Sequence, residues 1–214
     1  MELDEVSSSL ADHRRRPGGR TADVTRRVHS AIVDLLVEGG VQACTIKAVA
    51  ERAGIERSTL YRRFPDKWNA IIDALMARAA TDVMPELGSS FADDLRSVLR
   101  KLREFLNSPL GLALLAAAIE LRTHDADDHP RTYFDQRMTQ LAPMFDAAVD
   151  RAELRPDVDR EALFSMAAGP IYFRMFTAGR PVDDEFIDMI VANLCWLYCS
   201  PSSAAKLSLP ARIA

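Results

Sequence analysis

Polar and cationic side chains fill one short stretch of the chain, which reads ERSTLYRR over residues 56–63. Groups of this kind can donate hydrogen bonds to phosphate oxygens and can read base edges in the major groove of a DNA duplex. Arg57 can form a forked pair with guanine, and Glu56 can accept a hydrogen bond from cytosine. Ser58 and Thr59 suit either role. The stretch therefore favours nucleic-acid recognition over a helix that only fills a core.

Further donors on both sides of this stretch would contact the phosphate backbone. Upstream, the basic segment RRRPGGR of residues 14–20 would form an arm that follows the minor groove. Downstream, Lys67 and the N-terminus of the helix that begins there would make an anion site. We therefore expect the following DNA-binding residues: Arg16, Arg20, Thr45, Lys47, Glu56, Arg57, Ser58, Thr59, Tyr61, Arg62, Arg63 and Lys67.

The charge is distributed unevenly along the 214 residues, whose net charge is −4. Residues 13–70 carry 12 Lys and Arg against 6 Asp and Glu, a net charge of +6, whereas the parts on either side are acidic. A basic N-terminal quarter on an acidic body indicates a polyanionic partner for that quarter alone. Double-stranded DNA is such a partner.

Two short helices joined by a tight turn would position these side chains. Thr45 is a suitable N-cap for the first helix, which ends at Gly54, where a turn needs positive φ. The second helix runs from about residue 56 to residue 63. Asp66 then caps a further helix that extends from residue 67 to about residue 83. Two short helices with a glycine in the turn, the second of them polar, form the outline of a helix-turn-helix.

The rest of the chain has helical periodicity and no strand alternation. A first helix would begin near Thr21 or Asp23 and stop at Gly39 and Gly40. Five longer helices follow, and a kink or bulge is expected at Pro170. We therefore predict an all-α fold of about nine helices, divided into a basic arm (1–20), a helix-turn-helix domain (21–66), a larger helical domain (67–199) and a tail (200–214).

Several other classes of function are disfavoured. No run of about 18 apolar residues could span a membrane, and the N-terminus lacks the apolar segment of a secretory signal, so we expect a cytoplasmic protein. Three widely split cysteines fit that compartment better than a disulfide framework. The His and Asp residues of 123–130 lack the spacing of metal ligands. With no catalytic set or phosphate loop in view, we expect no enzyme, no cofactor and no metal site.

The segment TIKAVAERAGIERSTLYRRFPDKWNAI, residues 45–71, resembles the DNA-binding signature of the tetracycline-repressor (TetR) family of bacterial transcription regulators. The segment matches the family pattern in three parts: a Thr followed by Ile-x-x-[IV]-Ala, then Ala-Gly-[VI], then Thr-[LI]-Tyr-x-[HR]-Phe. It departs from the pattern at Glu56, where the family usually has Ser. Residues 14–40 are similar to the arm and first helix of actinobacterial members. Residues 153–187 resemble one class of C-terminal ligand domain in the same family.

This resemblance implies a homodimeric repressor that binds a palindromic operator and is released by a small-molecule effector, with no membrane partner. The effector pocket would lie between helices of the larger domain and would be lined by Leu102, Phe105, Leu115, Ile119, Phe134 and Met138. The last two helices would form the dimer, because they carry more large apolar groups than their own core needs: Phe164, Ile171, Tyr172, Met175, Phe186, Ile190, Leu194 and Leu197.

Two alternatives stay open at this point. The first is an effector-independent or redox-responsive DNA-binding regulator, whose second domain only dimerises and whose cysteines sense an oxidant. The second is a helical enzyme or interaction scaffold with an incidental basic terminus. Salt-dependent binding to an operator separates the second alternative from both kinds of regulator.

Overall fold

All regular structure in the described part of the chain is helical. The computed structural model describes residues 18–123 and 129–200. Within these ranges it has nine α-helices and one π-helical turn, π1: α1 (Gly18–Ala43), α2 (Ile46–Ala53), α3 (Arg57–Arg63), α4 (Lys67–Asp82), α5 (Phe91–Leu106), α6 (Pro109–Thr123), α7 (His129–Asp150), α8 (Arg160–Tyr172), π1 (Phe173–Thr177) and α9 (Asp184–Tyr198). No strand occurs in the same ranges, and an isolated bridge joins Leu154 to Cys199. The all-α prediction is confirmed.

The break that we predicted in α1 is present at both glycines. Gly39 has φ −150° and Gly40 has φ 65° with ψ −162°, after which a short helical turn leads to Ala43. The helix begins at Gly18 and not at Thr21 or Asp23. Thr21 lies inside the helix, where its carbonyl accepts a hydrogen bond from the hydroxyl of Thr25 at 2.8 Å. Glycine adopts helical dihedrals without steric cost, so the helix can extend through its first residues.

One face of α5 forms the centre of the larger helical part. Its apolar stripe is buried throughout: Leu95, Val98, Leu99, Leu102, Phe105 and Leu106. The corner to α6 is tight, because a Cβ atom on Gly111 would lie 2.0 Å from the backbone oxygen of Phe105. Only glycine lets α6 approach the end of α5 so closely.

The irregularity expected at Pro170 takes the form of a π-helical turn. Pro170 lies inside α8 and cannot donate a backbone hydrogen bond. Three residues later the chain enters π1, where the amide of Ala178 donates to the carbonyl of Phe173 at 2.9 Å. The wider turn changes the direction of the side chains that follow, as an inserted residue in a helix does.

A single apolar cluster connects the helices. Helix α1 packs against α2, α4 and α6, while α4 also packs against α7, and α5 packs against α9. Helix α4 therefore contacts both the N-terminal helices and the larger helical body. None of the helices in the described ranges has the length and apolarity that crossing a membrane requires.

Candidate nucleic-acid interface

The first helix of the predicted helix-turn-helix is capped at both ends as expected. The hydroxyl of Thr45 accepts a hydrogen bond from the amide of Ala48 at 3.1 Å. At the other end, Gly54 is left-handed with φ 62° and ψ 44°, and its amide donates to the carbonyls of Ala50 and Glu51. These caps satisfy backbone groups that a short helix would otherwise leave unpaired.

Arg27 of α1 holds the turn in place, a contact that sequence reasoning missed. Its guanidinium donates to the carbonyl of Ala53 and, at 2.6 Å, to that of Gly54. A cation at the C-terminal end of α2 also interacts favourably with the partial negative charge there. Nothing in the local sequence distinguishes Arg27 from Arg26, which pairs with Asp23 on the same helix.

Helix α3 presents its polar side chains outward and its two apolar residues inward. Leu60 is buried, and so is Phe64 at the C-cap. The predicted base-reading and backbone-contacting residues are exposed, apart from Thr59, which is half-buried: Glu56, Arg57, Ser58, Thr59, Tyr61, Arg62 and Arg63. Glu56 occupies the N-cap position without a side-chain capping bond. The departure from Ser therefore removes a cap that the helix could have had.

Glu51 neutralises two of the predicted DNA-binding cations in the free protein. Its carboxylate oxygen Oε1 lies 3.6 Å from Arg57 Nη2 and 4.0 Å from Lys47 Nζ. All three side chains are more than half exposed. Exposed ion pairs contribute at most about 1 kcal/mol, so phosphate oxygens can replace Glu51 at little cost. Sequence reasoning could have found this acid from its i,i+4 spacing to Lys47.

The N-terminus of α4 is occupied by its own cap. The carboxylate of Asp66 accepts from the amides of Trp68 at 2.8 Å and Asn69 at 2.9 Å. Two of the backbone donors expected for an anion at this terminus are therefore already used, while the side chain of Lys67 is still available. The Lys67 ammonium lies 4.4 Å from the centroid of the buried Trp68 ring, which orients it by a cation–π contact.

Two polar pairs fix α1 relative to its neighbours. Arg52 of α2 makes two hydrogen bonds, of 2.8 and 2.7 Å, with the carboxylate of Glu38. His29 contacts Asp73 of α4 at 2.8 Å. The hydrogen bond from Arg52 lowers the pKa of Glu38, and the hydrogen bond with His29 lowers the pKa of Asp73. Both carboxylates are therefore held in the charged form that the pairs need.

Of the remaining predicted contacts to DNA, the two in the basic arm lie at the edge of the described range or outside it. Arg16 lies outside the described residues, and Arg20 lies in the first turn of α1. Lys47 is exposed on α2, beside the surface of α3.

Residues 124–128, which include His124 of the rejected metal cluster, also lie outside the described residues. Among the residues that the structure describes, no group of three or more potential metal ligands comes together.

The six predicted pocket residues differ widely in burial. Leu102 and Phe105 are buried in the face of α5 that forms the core. Leu115, Phe134 and Met138 are half-buried, whereas Ile119 is 60% exposed on α6. Met138 and Phe134 pack against the core cluster from α7. Four of the six, Leu102, Phe105, Phe134 and Met138, therefore belong to the core cluster or pack against it.

The predicted dimer residues divide between core and surface. Four are buried in the chain's own core: Phe164, Ile171, Ile190 and Leu194. Tyr172, Met175 and Phe186 are half-buried, and Leu197 is exposed. Large apolar residues that were not predicted are also exposed here: Met166, Phe173, Phe176 and Trp196. Periodicity identified α8 and α9 as apolar but not which of their apolar residues are exposed, because the buried face of each helix is also apolar.

Comparison with known proteins agrees with this arrangement. The sequence model described as "Bacterial regulatory proteins, tetR family" matches residues 29–75, which span α2 and α3. A second model, described as "Tetracyclin repressor-like, C-terminal domain", matches residues 84–194. The two matches together extend from α1 into α9.

Individual relatives agree with the family models. The chain is 30% identical over 187 residues to the HTH-type transcriptional regulator YdeS of Bacillus subtilis (strain 168), an alignment that covers 86% of this chain and 93% of that protein. It is 27% identical over 176 residues to the DNA-binding transcriptional repressor TetR of Mycobacteroides abscessus, covering 80% and 91%. The crystal structure of the TetR family transcription regulator SCO0332 superposes with a TM-score of 0.71 at 29% identity, covering 83% of this chain and all of that one. These relatives are regulators and not enzymes, and the chain belongs to the tetracycline-repressor family of DNA-binding transcription regulators.

Proposed function

We propose that this regulator is a cytoplasmic, ligand-responsive repressor that binds a palindromic operator as a homodimer and is released by a small-molecule effector. The observation that carries the proposal is the exposed, cationic surface of α3, held by buried Leu60 and Phe64 and by the Arg27 contact to the turn. Helix α4 follows α3 directly and also packs against α7 of the larger body. A change in that body can therefore reach the DNA-reading helix through one rigid element.

The test of DNA binding begins with selection of bound sequences from a random duplex pool, followed by footprinting. A twofold dimer should protect two equivalent half-sites about one helical turn, or a multiple of it, apart. Arg57→Ala should cost about 1 to 3 kcal/mol on the selected operator and relax its sequence preference, because a forked pair to a base would be lost. Lys67→Ala should weaken binding to all sequences alike and reduce the salt slope by about one unit.

A matched control uses a cation outside the proposed interface. Arg155, between α7 and α8, is an exposed arginine like Arg57, and Arg155→Ala should leave the operator affinity unchanged. A single asymmetric footprint would contradict twofold binding. Equal losses for the Arg57 and Lys67 variants on operator and random DNA would remove Arg57 from base reading.

The dimer proposal is supported by apolar side chains that one protomer leaves uncovered. Phe173 and Trp196 are 62% and 65% exposed, and Met166 and Leu197 are exposed on the adjoining helices α8 and α9. Exposed large apolar side chains gathered on neighbouring elements are typical of a surface that binds a partner. Helices α8 and α9 pack against each other, so their outer faces can pair with the same faces of a second copy in a four-helix contact.

Replacement of Trp196 by Glu should convert the dimer into a monomer, because a charge would be buried between the two copies. Sedimentation velocity measures this directly, and operator titration should show a large loss of affinity, since two linked heads bind far more tightly than one. Leu87→Glu is the matched control, because Leu87 is exposed between α4 and α5, outside α8 and α9. A dimer that persists in the Trp196 variant would place the interface elsewhere.

The redox-responsive alternative depends on the cysteines near the end of α9. Cys195 is buried, and Cys199 lies one helical turn farther along the chain. Interaction with Cys199, together with burial, raises the pKa of Cys195 and keeps its thiol protonated, while the interaction with Cys195 lowers the pKa of Cys199. Because a thiolate is the reactive form, Cys199 is the position to test. Loss of operator binding in peroxide that Cys199→Ser prevents would favour this alternative over an organic effector.

A further inference from the structure

Arg137 is a buried charge without a counter-ion among the side chains that the structure describes. Two charged residues in this part are buried, Asp94 and Arg137. Asp94 is paired with Arg151 at 2.9 Å, whereas Arg137 forms no ion pair with any described carboxylate. Buried charges in proteins are normally paired, because removal of an ion from water is costly. The arginine therefore lies in an environment that would accept an anion.

The described groups that contact or act on Arg137 are neutral. Its Nη2 donates to the carbonyl of Val83 at 2.8 Å and its Nη1 to the side-chain oxygen of Gln140 at 3.2 Å. The phenols of Tyr133, one turn earlier on α7, and of Tyr172, at the end of α8, are the titratable groups that act on it. Burial lowers the pKa of Arg137, raises that of Tyr133, and raises that of Tyr172 to about 12. All three groups thus keep their donor hydrogens at neutral pH.

The two phenols have donors to spare. Both side chains are half-buried, and neither hydroxyl makes a hydrogen bond to another described residue. The Tyr172 ring also lies against that of Phe176, with centroids 6.1 Å apart and planes tilted by 40°. Phe176 belongs to π1, and π-helical turns in α-helices are frequent at functional sites. A guanidinium, two phenolic donors and an aromatic pair are therefore close to one another, between α7 and α8.

We propose that Arg137, Tyr133 and Tyr172 recognise the carboxylate of a small aromatic acid, whose ring packs beside Tyr172 and Phe176. The inference rests on the proposed function, because it names the chemical class of the effector. An arginine fork matches the two oxygens of a carboxylate, and charge-assisted hydrogen bonds are about twice as strong as neutral ones. A neutral amide of the same shape would place its own donors against these donors, and it would bind less well.

The same arginine connects this site to α4. Arg137 contacts the carbonyl of Val83, the C-cap of α4, and Gln140 donates to the carbonyl of Met76 on that helix at 3.4 Å. A carboxylate that accepts the guanidinium hydrogens competes directly with Val83 and weakens the attachment of the last turn of α4 to α7. Because the opposite end of α4 follows α3, ligand binding is thereby coupled to the DNA-reading helix.

The experiment measures probe binding to the full chain without DNA, by calorimetry and thermal shift. Benzoate and phenylacetate are compared with their neutral amides, benzamide and phenylacetamide. We expect the acids to bind and to raise the melting temperature, and the amides to bind about 10- to 100-fold more weakly. Arg137→Met should abolish acid binding. Tyr172→Phe, which keeps the ring, should weaken acid binding several-fold. Tyr198→Phe should leave acid binding unchanged, because the Tyr198 hydroxyl contacts the sulfur of Met166.

The outcomes are separable from those of the repressor proposal. If the amides bind as well as the acids, if neither acid binds, or if the Tyr172 and Tyr198 variants behave alike, the site is refuted while operator binding is unaffected. Should Arg137→Met fail to fold by circular dichroism, Tyr133→Phe and Tyr172→Phe decide the question. If benzoate binds through Arg137 and yet leaves operator affinity unchanged, the site stands and release by this effector class is refuted.

Discussion

Replacement of Gly54 by Ala tests how the turn of the helix-turn-helix is held. Gly54 has φ 62°, and an L-residue in this region costs about 1 to 2 kcal/mol. A Cβ atom at Gly54 would also lie 2.8 Å from Arg27 Nη2, so the guanidinium must move and lose its bonds to the carbonyls of Ala53 and Gly54. These bonds are partly exposed and contribute about 0.5 to 1 kcal/mol each. The free energy of unfolding should therefore fall by about 2 to 4 kcal/mol.

Gly179 is the matched control for this change. It has nearly the same φ, 61°, but a Cβ atom there meets nothing within 4 Å, so Gly179→Ala should cost only the backbone term of about 1 to 2 kcal/mol. Urea unfolding measures both values. In an Arg27→Met background, Gly54→Ala should cost the same as Gly179→Ala, because the displaced contact is already absent. Equal losses of stability for the two glycine variants in the protein with Arg27 would refute the reasoning. So would a loss for Gly54→Ala that stays the same when Arg27 is replaced by Met.

Three further changes test other parts of the structure. Glu51→Gln should raise affinity for all DNA about two- to fivefold in a gel-shift titration, since it removes a negative charge beside the proposed phosphate contacts; unchanged affinity would mean that Glu51 faces away from DNA. Gly111→Ala should destabilise the fold by about 2 to 4 kcal/mol in urea, because the backbone of Phe105 cannot move away, and a loss below about 1 kcal/mol would contradict the close approach. The hydrogen bond from His29 lowers the pKa of Asp73 below 3.8 in the folded state, so its contribution is present above that pH and is lost as the pH falls through the lowered pKa. With Asp73→Asn, the free energy of unfolding should therefore fall less steeply as the pH is lowered, and the difference should be less than about 1 kcal/mol for so exposed a pair. An unchanged pH dependence in acid unfolding would exclude Asp73 as a contributor to acid sensitivity.

Local signals in the sequence were sufficient to predict the helices and the polar face of α3. Thr45, Gly54 and Asp66 act within a few residues of themselves, so their caps could be predicted without any knowledge of packing. The expected irregularity near Pro170 depends in the same way on a missing backbone donor within one helix. These features also determined the family resemblance that the comparisons confirmed.

Contacts between distant parts of the chain were decided only by the tertiary structure. The sequence by itself determined that α3 is cationic and that α8 and α9 are apolar. It could not show that Arg27 contacts a carbonyl 26 residues away, or that Ile190 is core while Trp196 is surface. Nor could it show that Arg137 lies buried beside two phenols. Helical periodicity specifies which face of a helix is apolar, but the partner of each side chain depends on how the helices pack, and that packing is a property of the whole core.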